Sequence, residues 1–207
     1  MSDGYLVLGR WRGVPVRMHL LAPIGWLLFV TRFAPGSWLG ALLGLVVLIF
    51  VHEVGHAVLV RANGAWVQSI DFLLLGGECS WQGTVTPLGQ SVIAWGGVLG
   101  QALLLGVVHG VLAITGQPTE PFLIALVFVL TVSNVWMMGL NLLPIRPLDG
   151  SRAWLVFPRA VAQLRKPRRL EDVIARQTRS PWQRLVSKFK RRKLRVVPPP
   201  DDRTYLN

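Results

Sequence analysis

The fold of this chain is decided by one apolar run, Trp38–Val60, which reads WLGALLGLVVLIFVHEVGHAVLV. At a rise of about 1.5 Å per residue, a helix of this length is long enough to cross the roughly 30 Å hydrocarbon core of a bilayer. Near its end lies the pattern H-E-x-x-H, at residues 52–56. Positions i and i+4 share one face of a helix, so His52 and His56 can present imidazole nitrogens to a single metal ion. Zinc suits such ligands.

Glu53 directly follows His52, and there its carboxylate can accept a proton from an attacking water instead of binding the ion. Ionisable side chains inside a membrane span are costly and usually mark a functional site. The alternative is a pair of buried histidines that form hydrogen bonds with Glu53 and bind no metal. A catalytic zinc ion usually has three protein ligands, so the metal hypothesis requires a third ligand elsewhere in the chain.

The composition is typical of a membrane protein with a basic end. Of the 207 residues, 52% are hydrophobic and 15% are charged. Residues 1–151 contain six basic and six acidic residues, whereas residues 152–207 contain sixteen basic and four acidic ones and carry the whole net charge of +12. The single cysteine, Cys79, excludes an intramolecular disulfide and a cysteine-rich zinc site.

The apolar runs predict an all-α polytopic membrane protein with about four transmembrane helices. We expect these spans near residues 19–31, 38–61, 91–114 and 122–145. Two short strands predict a β-hairpin at 66–87, between the second and third spans. Its edge is suited to pairing with an extended substrate by β-addition, and a purely structural cap is the alternative. Outside these elements we expect a short hairpin or extended lead-in at 1–18 and a basic C-terminal tail at 159–207.

The basic residues also predict the orientation in the membrane. If the N-terminus and the tail share one side, that side gathers nearly all the basic residues, and Arg32 alone lies in an opposite loop. The positive-inside rule then makes both termini cytoplasmic, which requires an even number of spans. The H-E-x-x-H pattern lies nearer the cytoplasmic face.

Asp149 is the carboxylate expected at the depth of the two histidines. It belongs to the stretch NLLPIRPLDG at 141–150, where the fourth predicted span returns toward the cytoplasm. Pro144 and Pro147 prevent a regular helix there, which frees the carboxylate to turn inward. An aspartate is a suitable third zinc ligand.

Three segments together resemble the site-2 protease family of intramembrane zinc metalloproteases: HEVGH at 52–56, GVLGQ at 97–101 and NLLPIRPLDG at 141–150. The resemblance covers roughly residues 5–155. It implies that His52, His56 and Asp149 bind one Zn²⁺ ion per chain and that Glu53 is the catalytic base.

The resemblance also implies that Asn141 lies close to the site. The family often has G-P-L-A-N in its middle span, and Val98, Gly100 and Gln101 depart from that pattern. We expect Asn141 and Gln101 to position the unwound backbone of a substrate, with interhelical hydrogen bonding as the alternative for each amide. Arg146 stands where many members of the family have an uncharged residue.

The function implied is that of an intramembrane zinc endopeptidase, with residues 19–158 as the metalloprotease domain. It would hydrolyse peptide bonds in or near the transmembrane segments of membrane-anchored proteins, in regulated intramembrane proteolysis at a bacterial inner or plasma membrane. One alternative is a non-catalytic scaffold, derived from such a protease, that binds partners through its spans and tail. A metal-handling membrane protein is a weaker alternative, because the spans offer few further ligands.

The basic tail contains a predicted amphipathic helix from Ser180, which ends before the prolines at 198–200. Its apolar and basic faces favour binding to anionic lipid head groups on the cytoplasmic leaflet. A solvated, disordered tail is the alternative. No nucleic-acid-binding fold is recognisable, so no nucleic-acid partner is expected.

Overall fold

A computed structural model describes residues 4–74 and 76–165 of the chain. The predicted helix from Ser180 lies outside these residues. The described part begins with two antiparallel strands, β1 (Tyr5–Trp11) and β2 (Val14–His19), joined at Arg12 and Gly13. A nine-residue helix, α1 (Ala22–Val30), and a short 3₁₀ turn (Pro35–Ser37) lead into the long apolar helix α2 (Trp38–Ala62).

A second antiparallel pair, β3 (Trp66–Leu73) and β4 (Gly76–Gln82), separates α2 from α3 (Pro87–Thr115). Thr86 caps α3, since its hydroxyl accepts a hydrogen bond from the Gly89 amide at 3.0 Å. The remaining helical segments are α4 (Pro121–Phe128), a π turn (Val129–Ser133), α5 (Asn134–Asn141), α6 (Gly150–Ala153) and α7 (Val156–Arg165).

The described residues contain three helical segments that are long and apolar enough to cross a membrane: Pro35–Ala62, Pro87–Thr115 and Pro121–Asn141. Leu103 and Ile114, on α3, expose 71% and 88% of their surface, as expected of side chains that face lipid. The chain is therefore an integral membrane protein. The predicted span near residues 19–31 is corrected: only Ala22–Val30 is helical there, and at about 1.5 Å per residue this helix alone is less than half as long as the hydrocarbon core is thick.

The all-α prediction is also corrected, because the four strands form one mixed sheet in the order β1-β2-β3-β4. The predicted β3–β4 hairpin is present, but β2 pairs with β3 in parallel and so joins the N-terminal strands to it. A sequence pattern identifies a strand more readily than it identifies the strand that pairs with it, which here lies about fifty residues further along the chain. The sheet packs on α2, where Ile70 and Phe72 of β3 are buried against Ile49.

The parallel pair also fixes the path of the chain. Since β2 and β3 point the same way in one sheet, the chain must leave the sheet through α1 and return to it through α2. Arg17 and Asp71 lie opposite each other in this pair and form a two-point ion pair, with N–O distances of 2.7 and 2.6 Å. This contact raises the pKa of Arg17. The N-terminal strands and the β3–β4 hairpin therefore lie at the same end of α2.

Helices α2 and α3 cross at Gly55, inside the H-E-x-x-H pattern, and Gly96. A Cβ atom on Gly55 would lie 2.1 Å from the carbonyl oxygen of Gly96, so only glycine permits this approach. The crossing brings Ile93 and Gln101 of α3 within hydrogen-bonding distance of the histidines of α2. The close contact between the two helices thus builds one wall of the candidate site.

Candidate metal centre

His52, His56 and Asp149 converge although two elements far apart in the chain supply them. The Nε2 atoms of His52 and His56 are 3.1 Å apart. Oδ2 of Asp149 lies 3.0 Å from the first and 3.2 Å from the second. These three are the one group of possible metal ligands found in residues 4–74 and 76–165. The sequence-predicted ligands are therefore brought together.

The triangle of donor atoms is close in size to the one that a zinc ion holds. Tetrahedral zinc with bonds of about 2.0–2.1 Å holds its ligand atoms about 3.3 Å apart. The Nδ1–H of His56 donates to the Ile93 carbonyl at 2.8 Å, so its Nε2 carries a lone pair when the ring is neutral. Two imidazole lone pairs and a carboxylate oxygen that face one point suit a cation, and together with the homology below they indicate a metal ion.

The path of the chain after α5 brings Asp149 to the histidines. The helix ends at Asn141, and the segment to Asp149 contains Pro144 and Pro147, neither of which can donate a backbone hydrogen bond. The four-residue helix α6 follows at Gly150. Trp95 of α3 donates to the carbonyl of Ala153 in α6 at 3.0 Å and fastens this segment to the wall of the site.

Glu53 exposes 3% of its surface and lines the same cavity as the three possible ligands. Glu53 is not itself a member of that ligand cluster. Gly77 of β4 lies directly against it, since a Cβ atom there would lie 2.6 Å from Oε1 of Glu53. The Glu53 carboxylate is thus enclosed between α2 and the start of β4. This location suits a group that exchanges a proton with a molecule in the cavity.

The cavity has a volume of about 1030 Å³, and one of its walls is β4, from Gly76 to Trp81. That strand is the edge of the sheet, so its outer backbone groups have no strand partner in the described residues. Asn141 also lines the cavity. Burial, together with the nearby carboxylates, raises the pKa of Cys79, another wall residue, to about 12. Its sulfur therefore stays a neutral thiol at physiological pH.

Gln101 reaches the site through His52 and not through the cavity. Its side chain is fully buried, does not line the cavity, and places Oε1 3.0 Å from Nδ1 of His52. Asn134, beside the π turn, donates to the backbone carbonyl of Gln101 at 3.0 Å. The sequence analysis predicted that Gln101 holds the substrate backbone, with an interhelical hydrogen bond as the alternative. The contact with His52 joins α3 to α2, and this partner was not identified because helix rotation is not visible in the sequence.

His109 and His19 take no part in the cluster. His109 is exposed, and its Nδ1–H donates to the Leu105 carbonyl of its own helix at 2.9 Å. His19 ends β2 and packs edge-on against Tyr5.

The chain is similar in sequence to curated proteins named "Putative zinc metalloprotease Rip3" in two strains of Mycobacterium tuberculosis, Erdman and H37Rv. The identity is 33% over 163 residues in both cases, which is 70% of this chain and 41% of the relative. The chain thus spans less than half the length of these relatives. No protein-family model matches it.

Among solved structures, the chain is similar to the site-2 protease from Methanocaldococcus jannaschii. The TM-score is 0.57 at 20% sequence identity, over 78% of this chain and 73% of the other. At this identity the similarity shows a shared fold.

Proposed function

This chain belongs to the site-2 protease family, and from that premise we propose that it is an intramembrane zinc endopeptidase. Its substrates would be membrane-anchored proteins, cleaved in or near their transmembrane segments. The observation that carries the proposal is the convergence of Nε2 of His52, Nε2 of His56 and Oδ2 of Asp149 within 3.0–3.2 Å of one another, beside a buried glutamate and a large cavity.

His52, His56 and Asp149 would hold one zinc ion per chain. When bound, zinc acts as a Lewis acid that polarises a peptide carbonyl and makes water a stronger acid. Three protein ligands leave a position open for chemistry, as in catalytic and not structural zinc sites. The carbonyl of Ile93 and the amide of Gln101 would hold the two rings in the orientation that points each Nε2 at the ion.

Glu53 would act as the catalytic base. Its carboxylate accepts the proton of the attacking water and then passes it to the amine of the leaving segment. The enclosed position between α2 and Gly77 keeps this carboxylate out of bulk water and within the cavity that a substrate would enter. No covalent acyl-enzyme forms in this reaction, since water is the nucleophile.

A substrate helix must unwind before its carbonyl groups are accessible, because helical hydrogen bonds occupy them. The edge strand β4 offers unpaired backbone groups along the cavity, to which an unwound segment would add as a further strand. Asn141 lines the same cavity, and this location supports its proposed role in holding the unwound backbone. For Gln101 the contact with His52 supports orientation of a ligand.

We place the enzyme at a bacterial inner or plasma membrane with both termini cytoplasmic, acting in regulated intramembrane proteolysis. Besides the three long helices, this topology requires the segment between β2 and α2, residues 20–37, to make a fourth crossing. The parallel β2–β3 pair supports one part of this topology, because it holds the N-terminal strands at the end of α2 from which α3 departs. The distribution of basic residues supports the cytoplasmic assignment. Binding of the basic tail to anionic lipid stays a prediction.

The proposal is tested with Glu53→Gln in native membranes. New N-termini of membrane proteins are quantified by mass spectrometry, and the zinc content of each purified variant is measured. We expect cleavage fragments with the unaltered chain and with the control Glu120→Gln, which lies in the exposed α3–α4 loop. Glu53→Gln should retain about one zinc per chain and yield no fragments.

A zinc-loaded Glu53→Gln protein that still cleaves would refute the assignment of the base. Equal fragment sets with and without the intact chain would instead favour a scaffold that binds membrane partners and does not cut them.

A further inference from the structure

A second cavity, of about 410 Å³, adjoins the one that holds the candidate metal centre. The two share wall residues from β4, α3 and the segment around Asp149, among them Trp81, Arg146 and Arg152. Arg159 completes a set of three arginines in the smaller cavity, and none of the described residues that line it is acidic. We call this space the arginine pocket. It has a formal charge of +3 at the wall of a site that would bind peptide.

The three guanidinium groups differ in their partners among the described residues. Nη1 of Arg159 donates to the Pro87 carbonyl at 2.8 Å and to the hydroxyl of the fully buried Ser91 at 2.7 Å, so this side chain is anchored to the start of α3. Arg146 and Arg152 are exposed, and within residues 4–74 and 76–165 neither forms a salt bridge with a carboxylate. Their donors are therefore available to an anion.

The arginine pocket lies within a few residues of the candidate reaction centre. Arg146 and Arg152 are each three positions from Asp149 along the chain, which limits each Cα–Cα distance to about 11 Å. Along β4, Trp81 in the pocket wall is four residues from Gly77, which contacts Glu53, and four residues of strand cover about 13 Å. An extended peptide that spans this interval has about four residues between the two points.

We infer that the arginine pocket binds the carboxylate of an aspartate or glutamate side chain of the substrate, about four residues from the cleaved bond. The inference rests on the proposed peptidase function, because it takes the bound peptide to lie along β4. A guanidinium binds a carboxylate through two parallel hydrogen bonds. Arg146 and Arg152, which have no carboxylate partner among the described residues, make a site for one such group beside the anchored Arg159. The arginine pocket is a specificity site for acidic sequences, and it explains why Arg146 is charged.

The test compares matched substrates in the full chain, reconstituted in phosphatidylcholine nanodiscs. Single-span peptides carry one aspartate moved through positions two to six on either side of the cleaved bond, each beside an asparagine counterpart. We expect the aspartate form to have about tenfold higher kcat/KM at one position near four, as hydrogen bonds to charged groups imply. Because each ratio is measured within one protein preparation, partial misfolding or metal loss does not change it.

Substitutions then assign the preference to the pocket. In Arg152→Gln the aspartate-to-asparagine ratio should fall toward one, and Arg152→Glu should instead favour a lysine at the same position. Arg146→Gln is a second variant in which the aspartate-to-asparagine ratio should fall toward one. Arg10→Gln, on the strand at the opposite edge of the sheet from β4, should keep the unaltered ratio. A ratio near one at every position in the unaltered chain overturns the inference.

Two further measurements separate this inference from its alternatives. Peptide binding to Glu53→Gln, followed by fluorescence anisotropy, should show the same aspartate preference in Kd without any cleavage. If the binding preference is present and no variant ever cleaves, the pocket stands and the peptidase proposal fails. If the ratio is one in phosphatidylcholine, and phosphatidylglycerol raises the rate only while Arg146 and Arg152 are intact, the pocket binds lipid head groups and the inference is wrong.

Discussion

Nε2 of His52 lies 3.0 Å from Oδ2 of Asp149 although 97 residues separate them in the chain. Between them the chain forms the β3–β4 hairpin, crosses along α3 and returns along α4 and α5. The candidate metal centre therefore depends on the packing of helices that are distant in the sequence, and α2 cannot form it alone.

Replacing Asp149 with asparagine tests whether this residue is a ligand. The substitution keeps the size of the side chain but removes its negative charge, so we expect zinc affinity to fall by more than the 10–100-fold typical of partners outside the ligand set. Zinc content after dialysis against a chelator of graded strength measures the loss. Retention of unaltered affinity would remove Asp149 from the site.

Gln101→Leu tests the contact with His52. Leucine fills a similar volume but cannot accept the Nδ1–H hydrogen bond, so we expect zinc affinity to fall by about 10–100-fold with little change in the peptide-binding Kd. Gln101→Glu keeps an acceptor and should recover most of the affinity.

The matched control for this substitution is Gln117→Leu, in the exposed α3–α4 loop, which should change neither quantity. If Gln101→Leu weakened peptide binding and left zinc affinity intact, Gln101 would be a substrate-positioning residue after all.

Gly55→Ala tests the α2–α3 crossing. The new methyl group would lie 2.1 Å from the Gly96 carbonyl oxygen, so α3 must move and carry Ile93 and Gln101 with it. We expect a destabilisation of about 1–3 kcal/mol and a loss of zinc affinity. Thermal unfolding in detergent and zinc titration measure the two effects.

Gly106→Ala is the control for that experiment, because nothing lies within 4 Å of the position that its new methyl group would take. Alanine is the better helix former, so this variant should be as stable as the unaltered chain or slightly more stable. Equal behaviour of the two variants would show that the crossing tolerates a side chain.

The reactivity of Cys79 tests the environment of the cavity wall. It is the only cysteine of the chain, and burial raises its pKa to about 12. Because the thiolate is the reactive form, the maleimide labelling rate should rise about tenfold per pH unit from pH 7 to 10 without reaching a plateau. A plateau near pH 9, as for an ordinary free cysteine, would contradict a raised pKa.

The convergence of the candidate ligands was predictable because both halves of the pattern are local. The four-residue spacing of His52 and His56 fixes a helix face, and the prolines and glycine around Asp149 mark the break at which a carboxylate turns inward. The position of Glu53 beside the candidate ligands was predictable from the same pattern, because Glu53 directly follows His52. The geometry of these residues agrees with the sequence argument, while their roles in catalysis stay predictions.

The sheet and the second cavity could not be predicted in the same way. The register of β2 with β3 pairs Arg17 with Asp71, and no local pattern indicates that partnership. Apolar composition alone suggested a span at residues 19–31, but β2 uses the first residue of that run, and only nine residues become helix. Arg146, Arg152 and Arg159 meet around one cavity only because α6 folds back against α3.

The long interval between His52 and Asp149 has a consequence for synthesis. At about 5–20 residues per second, a ribosome needs roughly 5–20 s to extend the chain by the 97 residues that lead from His52 to Asp149. Throughout that time the nascent chain has its two imidazoles but not its carboxylate, so the candidate metal centre is incomplete. Translation itself would thus delay assembly of the three-ligand centre until the chain has been made past α5.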